Sequence, residues 1–239
     1  MERGRVLIIK DRPWWERALD YLYVPNCPGC GELSVYGLCS ECLEQVKPLR
    51  LQLNCGLTVY GGGFYEGVLK KTILTFKKLE QTYLSYAVVR LLLRALPAEF
   101  RGRTFYCLSV PANVKRLRSR GFYVPDLLIK ELRRQIPSWQ EGDNYLTQLR
   151  DFQVQKLLGR RERFKNIEKG YRSSPLVQGK SIILVDDVVT TGATLTEAAL
   201  ALAQNGATEI IALAAAISDH LPKTDIIFEE IVPNTLKII

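Results

Sequence analysis

The feature that most constrains the fold is an apolar run followed by two acids and a turn rich in Thr and Gly. It reads Ile182-Ile-Leu-Val-Asp186-Asp187-Val-Val-Thr190-Thr191-Gly192-Ala193-Thr194-Leu195. Four consecutive apolar residues predict a strand buried on both faces, and the turn after the acids predicts the start of a helix. Strands buried on both faces are typical of parallel sheets covered by helices. The run therefore predicts an α/β fold.

The rest of the chain alternates strand and helix as such a fold requires. Apolar runs predict strands at 57–60, 104–110, 144–149, 181–185 and 209–217. Helical spacing predicts helices at 68–76, 83–96, 125–135 and 194–204. Since continuous apolar strands alternate with helices, we expect a mainly parallel sheet with helices on both faces.

The turn after the predicted strand has the chemistry of a ligand site. Ligands of open α/β sheets bind at the carboxyl ends of the strands. Backbone N–H groups, Thr hydroxyls and a helix N-terminus together make a phosphate cradle. The cradle residues are Thr190, Thr191, Gly192, Ala193 and Thr194. Asp186 and Asp187 can accept hydrogen bonds from vicinal hydroxyls or bind Mg²⁺ through water. A phosphate with a neighbouring diol describes a ribose 5-phosphate.

Four of the six cysteines fall within 16 residues, as two CxxC knuckles eight residues apart. They are Cys27, Cys30, Cys39 and Cys42. Two such knuckles suit a tetrahedral zinc ion, and four thiolate ligands leave no open position, so we expect structural zinc. One alternative is two disulfides, which a cytoplasmic setting disfavours. The other is a redox CxxC motif, which would not require a second CxxC. A module this small would fold largely through its metal.

The net charge of +8 is concentrated in the middle of the chain. Residues 101–172 contain 17 Lys or Arg and 7 Asp or Glu, while the remainder contains 16 and 18. Two clusters stand out, and their cations suit pyrophosphate or a nucleic-acid backbone, although each could be a solvated or mobile loop. The first comprises Lys115, Arg116, Arg118 and Arg120, and the second Arg160, Arg161 and Arg163. The lysines of the predicted helix at 68–76 and just beyond it (Lys70, Lys71, Lys77 and Lys78) are interpreted as a solvated face.

The order of these elements resembles the ComF family of competence-associated proteins over roughly residues 10–217. The run from Ile182 to Thr194 resembles the motif of type I phosphoribosyltransferases that binds 5-phosphoribosyl 1-diphosphate (PRPP). The resemblance implies a zinc finger at 1–56 and a type I phosphoribosyltransferase-like domain at 57–239. It implies that Asp186 and Asp187 hold the ribose hydroxyls, that the TTGAT loop holds the 5-phosphate, and that Mg²⁺ accompanies PRPP. It also implies a role in natural transformation, with single-stranded DNA and the DNA-uptake machinery as partners.

Three departures from the family pattern bear on catalysis. Asn113 stands where the family has His, Tyr123 and Val124 stand where it has Asn and Gln, and a Gly near Leu79 is absent. Two hypotheses follow: a single-stranded DNA-binding competence protein that binds PRPP, or an active phosphoribosyltransferase of nucleotide metabolism or salvage with an unidentified acceptor.

Aromatic residues around the basic middle could stack on bases, although each could equally belong to the core. They are Tyr106, Phe122, Tyr123, Phe152 and Phe164. The one histidine, His220, is predicted in a loop, which argues against His-based acid or base catalysis at the cradle. No apolar stretch reaches the ~18 residues of a membrane span or the roughly 7 to 15 of a signal peptide, so we expect a cytoplasmic protein without membrane insertion.

Overall fold

The computed structural model describes residues 24–78, 83–111, 122–149 and 170–218, together with the backbone of a strand at 227–230. Within this part of the chain the α-helices are α1 (Ser40–Gln45), α2 (Gly67–Lys78), α3 (Tyr83–Ala95), α4 (Val124–Gln135) and α5 (Ala193–Gln204). Short 3₁₀ helices lie at Ala98–Gly102 and Pro175–Val177. No helix among these residues is long and apolar enough to cross a bilayer.

Nine strands form one large sheet and one small ribbon in the same residues. The strands are β1 (Leu49–Gln52), β2 (Thr58–Gly61), β3 (Tyr106–Ser109), β4 (Gln140–Glu141), β5 (Leu146–Gln148), β6 (Tyr171–Ser173), β7 (Ser181–Val189), β8 (Glu209–Ile217) and β9 (Ile227–Glu230). The large sheet has the order β4-β3-β7-β8-β2-β1-β9, and β5 and β6 form the ribbon. Neighbours from β4 to β2 are parallel, and β1 is antiparallel to both β2 and β9.

Helices cover both faces of the sheet because successive side chains of a strand point to opposite faces. On β7, Ile183 and Val185 pack into the core beneath α2, α3 and α4. Ile182 and Leu184 point the other way, into the core beneath α5. The long apolar runs of β7 and β8 are thus buried on both faces of the sheet, and the predicted α/β architecture is confirmed.

Strand β7 runs four residues further than the predicted 181–185, because its neighbour β8 continues beside it. Asp186 is in register with Ala214, and Val189 with Ile217. The two acids therefore lie inside the last part of the strand, where hydrogen bonding to β8 restrains their backbone. Strand β8, by contrast, has the predicted bounds.

The cysteine-rich segment shares the core of the sheet. Leu38, Leu43 and Val46 are buried in the same cluster as Leu69 and Ile73 of α2. Strand β1, which follows this segment, is hydrogen-bonded to β2 across the predicted boundary at 56/57. The two-part division of the chain stays a prediction. Its first part does not have a separate core in the described residues.

Candidate metal centre and ligand-binding site

The four knuckle cysteines come together at one point, with all four sulfurs within 4.8 Å of one another. Cys27 and Cys30 come from a tight turn in which the Gly31 N–H donates to the Cys27 carbonyl at 2.9 Å. Cys39 is the N-cap residue of α1, and its sulfur accepts a hydrogen bond from the Cys42 N–H at 3.4 Å. A turn and a helix start thus present two sulfurs each.

The spacing of the sulfurs fits a tetrahedral thiolate site. Zinc–sulfur bonds of ~2.3 Å in a tetrahedron place the sulfurs about 3.8 Å apart, and the Cys30 and Cys39 sulfurs are 3.6 Å apart. All four cysteines are free thiols in this structure. A Cβ at Gly29 would lie 2.6 Å from the Cys42 sulfur, so the site needs Gly there. The residues fit a metal with four sulfur ligands.

The acid pair lies at the carboxyl end of β7, between β8 and the end of β3. Both acids are half-buried. The Asp187 N–H donates to Asp186 Oδ1 at 2.7 Å, and the Val188 N–H donates to Asp187 Oδ1 at 2.6 Å. These short backbone bonds hold each carboxylate beside its own strand, because the side chain has little freedom once one oxygen is engaged.

The second oxygen of Asp187 pairs with a cation from another helix. Lys77, in the last turn of α2, places its Nζ 2.6 Å from Asp187 Oδ2. Both side chains are mostly buried, with 18% and 22% of their surface exposed. The interpretation of all four lysines as a solvated face is therefore wrong for Lys77, because periodicity within a helix does not reveal a partner on a distant strand.

Asp186 is the member of the pair whose charged form is disfavoured by its surroundings. Burial raises the pKa of Asp186 to about 7, and the neighbouring charge of Asp187 raises it further, against the lowering effects of the Asp187 N–H and of Lys77. Asp186 is therefore partly protonated near neutral pH, and a ligand that donates hydrogen bonds to it would favour its charged form.

The loop after β7 turns directly into α5. Thr190 is exposed, Thr191 and Thr194 are half-buried, and Gly192 and Ala193 are buried. The Ala193 N–H donates to Thr191 Oγ1 at 3.4 Å, and the first turn of α5 contains no acidic residue. A helix N-terminus without an acid in its first turn favours an anionic ligand.

Gly192 is required by both backbone conformation and space. Its φ is +73°, in the left-handed region that residues with a Cβ rarely adopt. A Cβ there would also lie 2.7 Å from a methyl group of Leu53, which follows β1. Leu53, in the turn between β1 and β2, thus packs against the loop at Gly192.

Two tyrosines lie next to the acid pair: Tyr123 was predicted as a stacking aromatic and not as part of the ligand cradle, and Tyr171 was not predicted as a site residue. The half-buried Tyr123, just before α4, donates its hydroxyl to the Val110 carbonyl at 2.7 Å. Tyr171 is buried on β6. Burial raises the pKa of both hydroxyls, and the charge of Asp186 raises both further. The only sequence signal was Tyr123 standing in place of the family's Asn.

The predicted basic residues lie outside the described part of the chain, which omits 112–121 and 150–169. The described residues that flank each segment lie close to one another. The Val110 N–H bonds to the Val185 carbonyl at 3.3 Å, and Tyr123 returns to Val110. The Leu149 N–H bonds to the Gly170 carbonyl at 2.8 Å, one residue before Tyr171. The first segment therefore leaves and re-enters the described structure beside Val185, the residue before Asp186, and the second leaves and re-enters it at the bonded pair Leu149 and Gly170.

The predicted stacking aromatics are dispersed. Tyr106 is the first residue of β3 and so lies at the amino ends of the strands, away from the acid pair. Its hydroxyl accepts a hydrogen bond from Lys180 Nζ at 3.1 Å. Phe122 packs against the core. Phe152, Phe164, Asn113 and His220 lie outside the described residues. Among the five aromatics, the described structure places Tyr123 at the site.

Comparison with known proteins agrees with this fold. Residues 128–230 match the phosphoribosyl transferase domain family. The chain is 30% identical over 193 residues to the "DNA utilization protein YhgH" of Shigella flexneri, covering 77% of this chain and 80% of that protein. It is similarly 30% identical to the protein of that name from Escherichia coli K12. It is 27% identical over 214 residues to "Competence protein F" of Haemophilus influenzae, covering 77% and 92% of the two chains.

The sheet, the acid pair and the loop define a phosphoribosyltransferase-type α/β domain that carries a four-cysteine cluster. Together with the relatives of this chain, they make it a member of the ComF family.

Proposed function

We propose that this chain is a PRPP-binding ComF protein of the cytoplasm that acts in DNA uptake during natural transformation, with single-stranded DNA as its partner. The names of its relatives, a DNA utilization protein and a competence protein, support the DNA role. The phosphoribosyl transferase domain match supports PRPP as the small ligand. Interaction with proteins of the uptake machinery is part of the same proposal.

The distribution of charge is the observation that carries this proposal. Segments 112–121 and 150–169 contain 11 Lys or Arg and 3 Asp or Glu, and the rest of the chain contains 22 of each. The whole +8 charge thus belongs to these two segments. A positive surplus concentrated in two short stretches of the sequence favours a polyanionic partner, such as a nucleic-acid backbone or a pyrophosphate.

The arrangement suggests how PRPP would bind. Asp186 and Asp187 would accept hydrogen bonds from the ribose hydroxyls, and the loop from Thr190 to Thr194 would surround the 5-phosphate. A Mg²⁺ ion bound with PRPP would neutralise part of the pyrophosphate charge. Zinc in the cysteine cluster would be structural, because four sulfur ligands leave no position for a reactant.

The surroundings of Tyr123 favour binding over turnover. Its hydroxyl already donates to the Val110 carbonyl, so this position does not offer that hydrogen to a ligand. A polar amide at the same position in the family pattern would be free to contact one. An active phosphoribosyltransferase remains the competing function, and the test below separates the two.

Calorimetric titration with PRPP, with and without Mg²⁺, tests the ligand assignment. We expect the unchanged protein to bind PRPP, and the double variant Asp186→Asn, Asp187→Asn to lose binding while remaining folded, as a cooperative thermal transition would show. Pyrophosphate release is then measured with bases, amines and DNA as acceptors. Release with one of them would establish the enzyme, and absence of PRPP binding would refute the assignment.

Affinity for single-stranded DNA at several salt concentrations tests the DNA assignment. We expect affinity that falls steeply with salt, because each neutralised phosphate releases counterions. Replacing Arg116, Arg118 and Arg120 by Gln should reduce both the affinity and the salt slope. The matched control replaces three exposed lysines, Lys47, Lys78 and Lys130, by Gln. Equal losses in the two triple variants, or affinity that salt does not change, would contradict the proposal.

A further inference from the structure

Helix α2 connects the two sites of the molecule. Near its beginning, Lys71 Nζ donates to the Gly29 carbonyl of the first knuckle at 3.4 Å. Val68 packs against the same residue, since a Cβ at Gly29 would lie 3.1 Å from a Val68 methyl group. At the other end, Lys77 pairs with Asp187 at 2.6 Å. One rigid element thus contacts the cysteine cluster and the acid pair.

Burial along α2 restrains the position of Lys77. Leu69, Ile73 and Phe76 are fully buried against the sheet and α3. Thr72 is also buried, and its hydroxyl donates to the Val68 carbonyl at 2.8 Å. A helix packed this closely moves as a unit, because a protein core leaves little space for one turn to shift alone. The place of the Lys77 ammonium therefore follows from the packing of the whole helix.

The ion pair limits what Asp187 can do. Its Oδ1 accepts from the Val188 N–H and its Oδ2 pairs with Lys77, so both oxygens have a fixed direction. Each carboxylate oxygen can still accept one more hydrogen bond. The ammonium also offsets one of two adjacent negative charges at a site that has to receive an anionic ligand. Removal of Lys77 would leave Asp187 without its counter-charge and with the Val188 N–H alone to fix its direction.

We propose that Lys77 is a positioning residue for the ribose-binding acid pair, and that the four-cysteine cluster holds it in place through α2. The proposal rests on PRPP binding as proposed above. Lys77 acts on the ligand through Asp187, so its loss should affect ligands that carry ribose more than a ligand without one.

Three variants and three ligands test the first half of the proposal. Lys77→Met removes the charge and keeps most of the apolar side chain, Lys77→Arg keeps the charge, and Lys78→Met is the matched control on the neighbouring exposed lysine. Calorimetry compares PRPP, ribose 5-phosphate and inorganic pyrophosphate, and thermal unfolding reports on the fold.

We expect Lys77→Met to lower the affinity for PRPP and ribose 5-phosphate by about tenfold or more, which corresponds to about 1.4 kcal/mol of binding free energy. The affinity for pyrophosphate should fall by less than about twofold. Lys77→Arg should recover most of the affinity, and Lys78→Met should bind as the unchanged protein does. Unchanged ribose-ligand affinity in Lys77→Met, or an equal loss for pyrophosphate, would overturn the proposal while PRPP binding by the unchanged protein stands. If the unchanged protein binds no PRPP, both proposals fail.

Metal removal tests the second half. Titration of the full chain with a zinc chelator, followed by circular dichroism, identifies conditions in which the helical signal is kept. In these conditions we expect PRPP affinity to fall in the unchanged protein and to change little further in Lys77→Met, because the connection through Lys77 is already broken. An equal additional loss in both proteins would refute the path through α2, as would PRPP affinity of the unchanged protein that metal removal leaves intact.

Discussion

The cysteine cluster and the acid pair differ in how the chain assembles them. The four sulfurs come from 16 consecutive residues, through one turn and one short helix. The residues around Asp186 come from α2, β6, β7 and the start of α4, and Lys77 and Asp187 are 110 positions apart. The first site is local in sequence, whereas the second exists only when the sheet and its helices are assembled.

This difference predicts how each site fails. A local metal site depends on its ligands, and loss of one ligand removes the free energy that metal binding adds to folding. A site assembled from distant residues depends on backbone conformation, packing and balanced charge. Single changes there should have graded effects. The four predictions below test this contrast in order of expected size.

The largest effect is expected from Cys42→Ser. Cys42 is buried, and its sulfur lies in the cluster beside Gly29. Loss of one thiolate should release the metal and destabilise the protein by several kcal/mol, or roughly 10 °C in melting temperature. Zinc stoichiometry and thermal unfolding measure this. Cys55→Ser, at an exposed cysteine outside the cluster, should leave both quantities unchanged. Full zinc content in Cys42→Ser would contradict a four-ligand site.

A smaller loss of folding stability is expected from Gly192→Ala in the loop after β7. The change introduces a Cβ at a φ of +73° and directs it into Leu53. We expect a loss of about 2–4 kcal/mol, from the left-handed backbone and the overlap together. Gly179→Ala is the control, since Gly179 has the same φ of +73° and open space around it. It should cost only about 1 kcal/mol, for the backbone conformation alone. Equal losses of unfolding free energy in the two variants, measured by denaturant unfolding, would show that the Leu53 side chain moves aside for the new Cβ.

A pH-dependent gain in stability is expected from Asp186→Asn. Because burial raises the pKa of Asp186 to about 7, the folded protein binds a proton there more tightly than the unfolded chain. This contribution to stability is complete below the unfolded pKa near 4 and is lost as pH rises through 7. The variant should therefore gain about 1–3 kcal/mol at pH 8 and little at pH 4. Thermal unfolding at both pH values checks this, and an equal gain at the two would refute it.

The smallest effect is expected from Tyr123→Phe, which removes the hydroxyl that donates to the Val110 carbonyl. Loss of one hydrogen bond should cost about 1 kcal/mol, and PRPP affinity should stay within about twofold if the hydroxyl serves only the fold. Denaturant unfolding and calorimetry measure the two quantities. A large fall in PRPP affinity with unchanged stability would instead indicate that Tyr123 contacts the ligand.

Most of the architecture was predictable because its strands are apolar without interruption. Strand β8 has the predicted bounds, and the helices α3, α4 and α5 begin or end within one residue of those predicted. Strand β1 was missed, since Leu49–Gln52 carries a charge and forms a strand through its pairing with β2 and β9. The extension of β7 past Asp186 was missed for the same reason, because it depends on the length of β8.

The amino-acid sequence by itself determined the parallel sheet, the cysteine spacing and the acid–loop motif, because each is encoded in consecutive residues by local periodicity or spacing. Only the tertiary structure decided that Lys77 faces Asp187, that Tyr123 and Tyr171 lie beside Asp186, and that Leu53 supports Gly192. Such pairs join residues far apart in the chain. Their contact follows from the register of strands and the packing of helices, which no local pattern encodes.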